Sequence, residues 1–233
     1  PTSVSQENPI VSGDFMWHFI AAVEGDQFVN KQHRIWGYSP TFMAGYPFGL
    51  WHSFSKRGYE CVTFLMPFLP IETAYYLWIV GTALITPFIV VLAAAVLGLS
   101  RRECLAVLFA SLIIYQLQNV VAYFWMFGNI SFPLVSAIAV LYAALFYRTF
   151  EPGGWRFAPF AAACLALVFW LHPLVIPIAF FASLAVLWLR RRVWREPRRW
   201  LFPCLAVGFG LALVAPWYRT LWEFRDLRVA MQA

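Results

Sequence analysis

Long apolar runs, separated by short basic segments, limit the possible folds of this sequence more than any other feature. Each run is close to the ~20 residues that an α-helix needs to cross a bilayer. There are six of them, at roughly 74–99, 103–121, 130–148, 156–171, 174–190 and 200–217. The sequence therefore predicts an all-α fold, a polytopic integral membrane helix bundle with about six transmembrane helices.

The low content of charged residues supports a membrane protein. Charged side chains make up 12% of the chain and hydrophobic ones 62%, whereas about 25% of the residues in a soluble domain are charged. The net charge of +6 does not indicate a nucleic-acid partner, because the basic residues occur in short clusters between apolar runs, where they set membrane topology. We expect the lipid bilayer as a partner, and no nucleic acid.

The distribution of arginines predicts the orientation. With six spans, the short loops at 100–103, 148–156 and 190–200 lie on one side and hold ten arginines. Short basic loops face the cytoplasm, so residues 1–73 and the tail 218–233 are predicted to be extracytoplasmic. Five or seven spans would destroy this asymmetry. The ten are Arg101, Arg102, Arg148, Arg156, Arg190, Arg191, Arg192, Arg195, Arg198 and Arg199.

Residues 1–73 are predicted to form an ordered cap on the outer face. They are rich in Trp, Tyr and Phe, which disordered segments lack. We expect one helix at roughly 13–24, then an ordered loop, then short helices at the membrane interface, where Tyr and Trp are favoured. The chain starts Pro-Thr-Ser without an initiator Met, which suggests that an upstream segment was removed or that the chain is part of a longer protein.

Asp14 and His18 form the first candidate site. At i and i+4 they would share one face of a helix. A carboxylate can bind a hard divalent cation or abstract a proton, and the imidazole could orient it. In the structural alternative, Ser12 caps the helix, Asp14 lies in its first turn and His18 is interfacial. The spacing alone favours this alternative, since such pairs are common.

Two further stretches carry candidate residues. The segment 34–52, "RIWGYSPTFMAGYPFGLWH", could form a wall that stacks on a sugar or an isoprenoid, or could anchor the chain at the interface. His172 lies between two apolar runs, where an ionisable group is a functional candidate. The alternative is a turn in which Pro173 starts the next helix.

The order of these features resembles the GT-C superfamily of membrane glycosyltransferases, in particular its less characterised bacterial branch. The resemblance covers about residues 12–225 through a loose series of motifs. They are "GDFMWHFIAAVEGDQFVNKQHRIWGYSPTFMAGYP", "PFLPIETAYYLW", "VLGLSRRECLAVLFASL", "WMFGNISFPLVSAIAVLYAALF" and "FWLHPL".

This resemblance implies transfer of a sugar from a polyprenyl-phosphate donor on the outer face of a bacterial cytoplasmic (inner) membrane. In that superfamily an acidic residue in the first outer loop acts in catalysis or binds a divalent metal such as Mg²⁺ or Mn²⁺, and Asp14 falls at this place. His18 would be the accompanying histidine. The substrate-binding residues would be Arg34, which could meet the donor phosphate, with Trp36, Tyr46 and His172.

Three departures from the family pattern keep a second hypothesis open. No transmembrane helix precedes Asp14, the chain has only about six spans, and the second outer loop, "NVVAYFWMFGN", contains no acid. The chain could thus be a fragment or a degenerate member. The alternative function is a non-enzymatic accessory or scaffold subunit of a larger membrane complex, in contact with partner subunits, lipids or pigments. A transporter fits less well, because the spans lack buried ionisable residues.

Overall fold

The protein is described by a computed structural model that covers residues 15–33, 37–39, 46–48, 66–117 and 131–223. These residues are predominantly helical, with one short hairpin of three-residue strands, β1 and β2. The elements are α1 (Phe15–Gly25), β1 (Gly37–Ser39), β2 (Tyr46–Phe48), α2 (Ile71–Val96), α3 (Arg101–Leu117), α4 (Ser131–Thr149), α5 (Ala158–Leu171), α6 (Ile176–Leu189) and α7 (Leu201–Glu223).

Each of the six predicted spans contains a helix, so the helical class of the fold is confirmed. Four stretches in the described residues are long and apolar enough to cross a membrane. They are Ile71–Val96, Ser131–Thr149, Gly154–Leu171 and Pro197–Pro216. The remaining two helices, α3 and α6, are 17 and 14 residues long within the described chain. The count of six membrane crossings therefore stays a prediction.

Local sequence signals explain where α2 ends and α3 begins. Gly98 has φ +88, a left-handed conformation that glycine adopts without strain and that stops helices. Ser100 and Glu103 then form a capping box. The Ser100 amide donates to Glu103 Oε2 at 2.7 Å, and the Glu103 amide donates to Ser100 Oγ at 3.4 Å. These contacts satisfy amides that the first turn of α3 would otherwise leave unpaired.

Helix α4 is the centre of the bundle. Two thirds of its apolar stretch is buried within the chain, and it contacts α2, α5 and α6. The ring of Phe132, near its start, meets His172, which precedes α6, and Tyr142 farther along meets Ser183 within α6. These two contacts make α6 parallel to α4. The short connection from α4 to α5 makes α5 antiparallel to both.

Small residues let α5 and α7 approach closely. The buried positions on α7 include Ala206, Gly210 and Val214, spaced four residues apart. A Cβ added to Gly210 would lie 3.0 Å from Leu165 Cδ2 and 3.2 Å from the carbonyl oxygen of Ala162 on α5. This is the small-xxx-small arrangement of membrane helix interfaces, in which close backbone packing takes the place of the hydrophobic effect.

The N-terminal segment differs in part from the expected cap. The predicted helix at 13–24 is present as α1, with residues 13 and 14 outside the described part, and a π-helical turn, Asp26–Lys31, continues it. The hairpin of β1 and β2 was not predicted. Its strands pair antiparallel, with Ser39 opposite Tyr46. The expected interfacial helices fall mostly on residues 49–65, outside the described residues.

Candidate functional site

Helix α1 is attached to the first turns of α2 through Tyr75. The Tyr75 hydroxyl donates to the main-chain oxygen of Phe15 at 2.9 Å, and the Phe19 ring meets the Tyr75 ring edge-on at 5.4 Å. Phe15, Ala22 and Tyr75 form a small buried cluster of their own. The start of α1 is thereby held against α2, one residue after Asp14 in the sequence.

His18 lies on the buried face of α1. Its side chain is 2% exposed, and Phe15 and Ala22, three residues before it and four after it, are buried on the same face. The buried imidazole therefore shares the face of α1 whose Phe15 and Ala22 cluster with Tyr75 of α2. Burial within the chain does not distinguish between the two hypotheses for the Asp14–His18 pair, which both stay predictions.

The hairpin is joined to the end of α1. Ser39 is buried, and its hydroxyl donates to Glu24 Oε1 at 2.7 Å. Gly37 lies so close to the ring of Phe28 that an added Cβ would overlap it. Tyr46 is the residue of β2 that pairs with Ser39. The segment that the family resemblance assigns to substrate binding is therefore connected to the helix that carries His18.

Three of the predicted site residues, Asp14, Arg34 and Trp36, lie outside the described residues. The structure brings His18 and the backbone of Tyr46 into one N-terminal unit. Within the described part of the chain, no group of three His, Cys, Asp or Glu side chains could hold a metal ion. The divalent cation stays a prediction that depends on Asp14.

His172 occupies the corner between α5 and α6. It is 2% exposed, its amide donates to the Val168 carbonyl at 3.3 Å, and its carbonyl accepts from the Val175 amide at 2.9 Å. The Phe132 ring meets the imidazole edge-on at 5.4 Å. Burial lowers the pKa of His172 from 6.5 to about 4, so at neutral pH the side chain is an uncharged imidazole. It can share a hydrogen bond with a ligand but cannot supply a positive charge to a phosphate.

Sequence reasoning missed an ion-pair triad at the other end of α4. Glu151 accepts from Arg148 Nη1 at 2.5 Å and from Arg190 Nη2 at 2.6 Å, and all three side chains are partly buried. The Arg190 guanidinium also lies 3.7 Å from the centre of the Tyr147 ring. From the sequence, membrane topology accounted for Arg148, and topology together with contact to anionic lipids accounted for Arg190 and the other arginines of 190–199. The single acid in the 148–156 loop, "RTFEPGGWR", was the signal that could have indicated a partner.

A cavity of about 540 Å³ between α4, α5, α6 and α7 was also not predicted. Its wall is aromatic and aliphatic, and its main polar groups are the hydroxyls of Tyr142 and Ser183, 3.0 Å apart. Pockets of this size bind small molecules. The sequence carried no signal for it, because its wall is assembled from four helices.

Comparison with known proteins assigns no family to the chain. No protein-family model, curated protein or solved structure matches the chain. Two features of the structure therefore remain as evidence of function. One is the N-terminal unit around His18, and the other is the cavity between α4, α5, α6 and α7.

Proposed function

We propose that this protein is a GT-C-type membrane glycosyltransferase that moves a sugar from a polyprenyl-phosphate donor to an acceptor on the outer face of a bacterial inner membrane. In this proposal the six helical runs all cross the membrane, with the arginine-rich loops in the cytoplasm. The alternation of six spans then places the start of α2, with α1 and the hairpin, on the same face as His172.

The attachment of α1 to α2 is the observation that carries the proposal. The hydrogen bond from Tyr75 to the Phe15 carbonyl and the burial of His18 hold the helix that directly follows Asp14. A catalytic carboxylate needs such a rigid support, because a small misplacement lowers the rate strongly. The bond from Ser39 to Glu24 gives the hairpin that contains Tyr46 the same support.

Asp14 would act as the general base. The acceptor hydroxyl oxygen attacks the anomeric carbon of the sugar, and its proton passes to the Asp14 carboxylate. The bond from the anomeric carbon to the phosphate oxygen breaks, and polyprenyl phosphate leaves. Arg34 would pair with the leaving phosphate, because a guanidinium matches phosphate geometry. Trp36 and Tyr46 would stack on the sugar. A Mg²⁺ or Mn²⁺ ion held by Asp14 is the metal-dependent form of the same proposal.

The test is sugar transfer by the purified protein in lipid vesicles. Radiolabelled polyprenyl-phosphate hexoses are supplied with extracts of cell-surface acceptors, and release of polyprenyl phosphate is measured. Asp14→Asn should lower the rate about 100-fold or more, because general-base catalysis contributes about 10²–10⁴-fold. The matched control is Asp26→Asn, which removes a carboxylate paired with Lys31 in the next turn of the same segment and should leave the rate unchanged.

Two results would overturn the enzyme proposal. One is equal transfer by the wild-type protein and Asp14→Asn. The other is no transfer from any polyprenyl-phosphate hexose by a wild-type protein that is folded and monodisperse.

The second candidate function is an accessory subunit of a larger membrane complex. The observation that favours it is the low burial of the two outer helices, since only 28% of the apolar stretch of α2 and 22% of that of α7 are buried within the chain. These faces are available to partner subunits. Co-purification with the same membrane proteins at a fixed ratio, from mild detergent, would support this function, and a monodisperse protein that purifies alone would contradict it.

A further inference from the structure

The cavity between α4, α5, α6 and α7 runs toward the arginine-rich end of the bundle. Phe146 on α4, Leu187 on α6 and Trp200, just before α7, line it at that end, and Ile176 lines it toward the other end of α6. Trp200 directly follows Arg198 and Arg199 in the chain. One end of this apolar cavity therefore reaches the basic loop between α6 and α7.

The wall of this cavity suits a hydrocarbon chain. Ser183 donates its hydroxyl hydrogen to the Ala179 carbonyl at 2.8 Å, so the Tyr142 hydroxyl, 3.0 Å away, is the donor in the contact between the two side chains. Both hydroxyl hydrogens are used within the protein. The remaining lining is aromatic and aliphatic. A sugar or nucleotide would lose its hydrogen bonds to water here, whereas an acyl chain has none to lose.

The basic loop beside the cavity carries positive charge that the described residues do not neutralise. Glu151 is engaged by Arg148 and Arg190, and Glu196 pairs with Arg199 at 2.7 Å. Four exposed arginines have no carboxylate partner among the residues that the structure describes. These are Arg191, Arg192, Arg195 and Arg198. A guanidinium binds phosphate oxygens through paired hydrogen bonds.

We propose that this cavity binds one acyl chain of an anionic phospholipid from the surrounding bilayer, with the lipid phosphate at the four arginines that have no described carboxylate partner. The apolar lining selects a hydrocarbon chain, and the charge at its end selects an anionic headgroup over a zwitterionic one. The arginines of this site follow the end of α6 that lies opposite His172, so the lipid phosphate would lie away from the proposed transfer site.

Two glycines allow a matched test of the cavity. Gly208 lines the cavity, and a Cβ added to it meets no atom within 4 Å, so Gly208→Leu places a side chain into the open space without a backbone clash. Gly81 on α2 is equally free of neighbours and does not line the cavity. Gly81→Leu is thus the control for adding a leucine to an exposed helix position.

The experiment measures the lipids that the purified protein retains. Wild-type protein is reconstituted in vesicles of phosphatidylglycerol and phosphatidylcholine mixed 1:3, extracted in mild detergent and examined by native mass spectrometry. The ratio of phosphatidylglycerol to phosphatidylcholine among the retained lipids should exceed the 1:3 ratio of the vesicles about fivefold or more. Gly208→Leu should lower the retained phospholipid about fivefold, and Gly81→Leu should not. The combined variant Arg191→Gln, Arg192→Gln, Arg195→Gln and Arg198→Gln should lose the enrichment and retain about fivefold less lipid, because occupancy of the cavity depends on the anionic headgroup that these arginines hold.

Cys204 provides a second measurement that needs no cavity-filling variant. Its thiol is free, exposed and part of the cavity wall. In a variant with Cys61→Ser, Cys104→Ser and Cys164→Ala, a membrane-permeant maleimide should modify Cys204 at least about threefold more slowly in vesicles with phosphatidylglycerol than in phosphatidylcholine alone. Equal modification rates in the two vesicles, no enrichment by the wild-type protein, or full lipid retention by Gly208→Leu would each overturn the proposal.

Discussion

Glu151 and Arg190 form an ion pair across 39 positions of the chain, with 2.6 Å between Oε1 and Nη2. The same carboxylate binds Arg148, so one acid joins the end of α4 to the end of α6. The three side chains are 20–32% exposed. Partial burial makes such a pair worth more than a surface ion pair, because water screens it less.

Because of this triad, we expect the loss of the Glu151 carboxylate to destabilise the protein more than the loss of the Glu196 carboxylate. Glu151→Gln should lower the free energy of unfolding by about 1–3 kcal/mol, since it leaves two neighbouring guanidinium groups without their counter-charge. The measurement is the thermal unfolding midpoint in detergent. Glu196→Gln removes a more exposed pair with Arg199 and should change the midpoint little. Equal effects of the two substitutions would contradict a structural role of the triad.

The contact between α5 and α7 predicts that Gly208 and Gly210 of α7 differ in their tolerance of a larger side chain. Gly210→Val should destabilise the protein by about 1–3 kcal/mol, because its side chain meets Leu165 and the Ala162 carbonyl at a close approach of the two backbones. Gly208→Val, two residues earlier and facing open space, is the control and should fold as the wild type does. Thermal unfolding of the two variants side by side is the measurement. A Gly210→Val protein as stable as Gly208→Val would show that the helices do not pack this closely.

Because His172 is buried, we expect the protein to lose stability in mild acid. Burial lowers its pKa to about 4 in the folded protein, below the ordinary value near 6.5, so the unfolded chain binds a proton first as the pH falls. The contribution of the neutral imidazole is complete above pH 6.5 and is lost as the pH falls toward 4. At pH 5 the loss of stability, relative to that above pH 6.5, should reach about 2 kcal/mol.

The pH dependence can be measured as the unfolding midpoint from pH 8 to pH 4.5. His172→Asn should flatten the part of the curve below pH 6.5. His33→Asn is the control, because His33 is exposed, and it should leave the curve unchanged. If His172→Asn and the wild type show the same pH dependence, the buried imidazole is not the group responsible.

The contact between Tyr75 and Phe15 predicts local rather than global destabilisation. Tyr75→Phe removes one hydrogen bond from the contact of α1 with α2, worth about 1 kcal/mol. Amide hydrogens of α1 should exchange about fivefold faster, and those of α6 in the same sample should not change. Under the proposed function, sugar transfer by this variant should fall as well, since α1 supports Asp14. Uniform acceleration across all helices would instead indicate general unfolding.

Much of the helical framework could be predicted because length and hydrophobicity act locally. The expected runs at 130–148 and 174–190 correspond to α4 and α6 within two residues, since apolar segments of this length form helices wherever water is excluded. The capping box at Ser100 and Glu103 is likewise a local pattern. The number of membrane crossings stays a prediction, because α3 and α6 are 17 and 14 residues long within the described residues, fewer than the ~20 that a span needs.

The candidate site was predictable only in part. The Asp14–His18 spacing identified a helix, but it could not show which face of that helix is buried, since this depends on Tyr75, 57 positions after His18. The hairpin was missed because Gly37–Ser39 and Tyr46–Phe48 are too short to show an alternating pattern. The roles of Asp14, Arg34 and Trp36 stay predictions.

The sequence by itself determined that this protein is helical, with helices long and apolar enough to cross a membrane, because the length and hydrophobicity of an apolar run act within a single segment. The basic side that the arginines indicate stays a prediction. Tertiary structure alone decided that Glu151 joins Arg148 to Arg190, that His18 and His172 are buried, and that four helices line an apolar cavity. Each of these depends on which helix faces lie against one another. That choice is set by close packing between distant segments, such as α5 against α7 at Gly210.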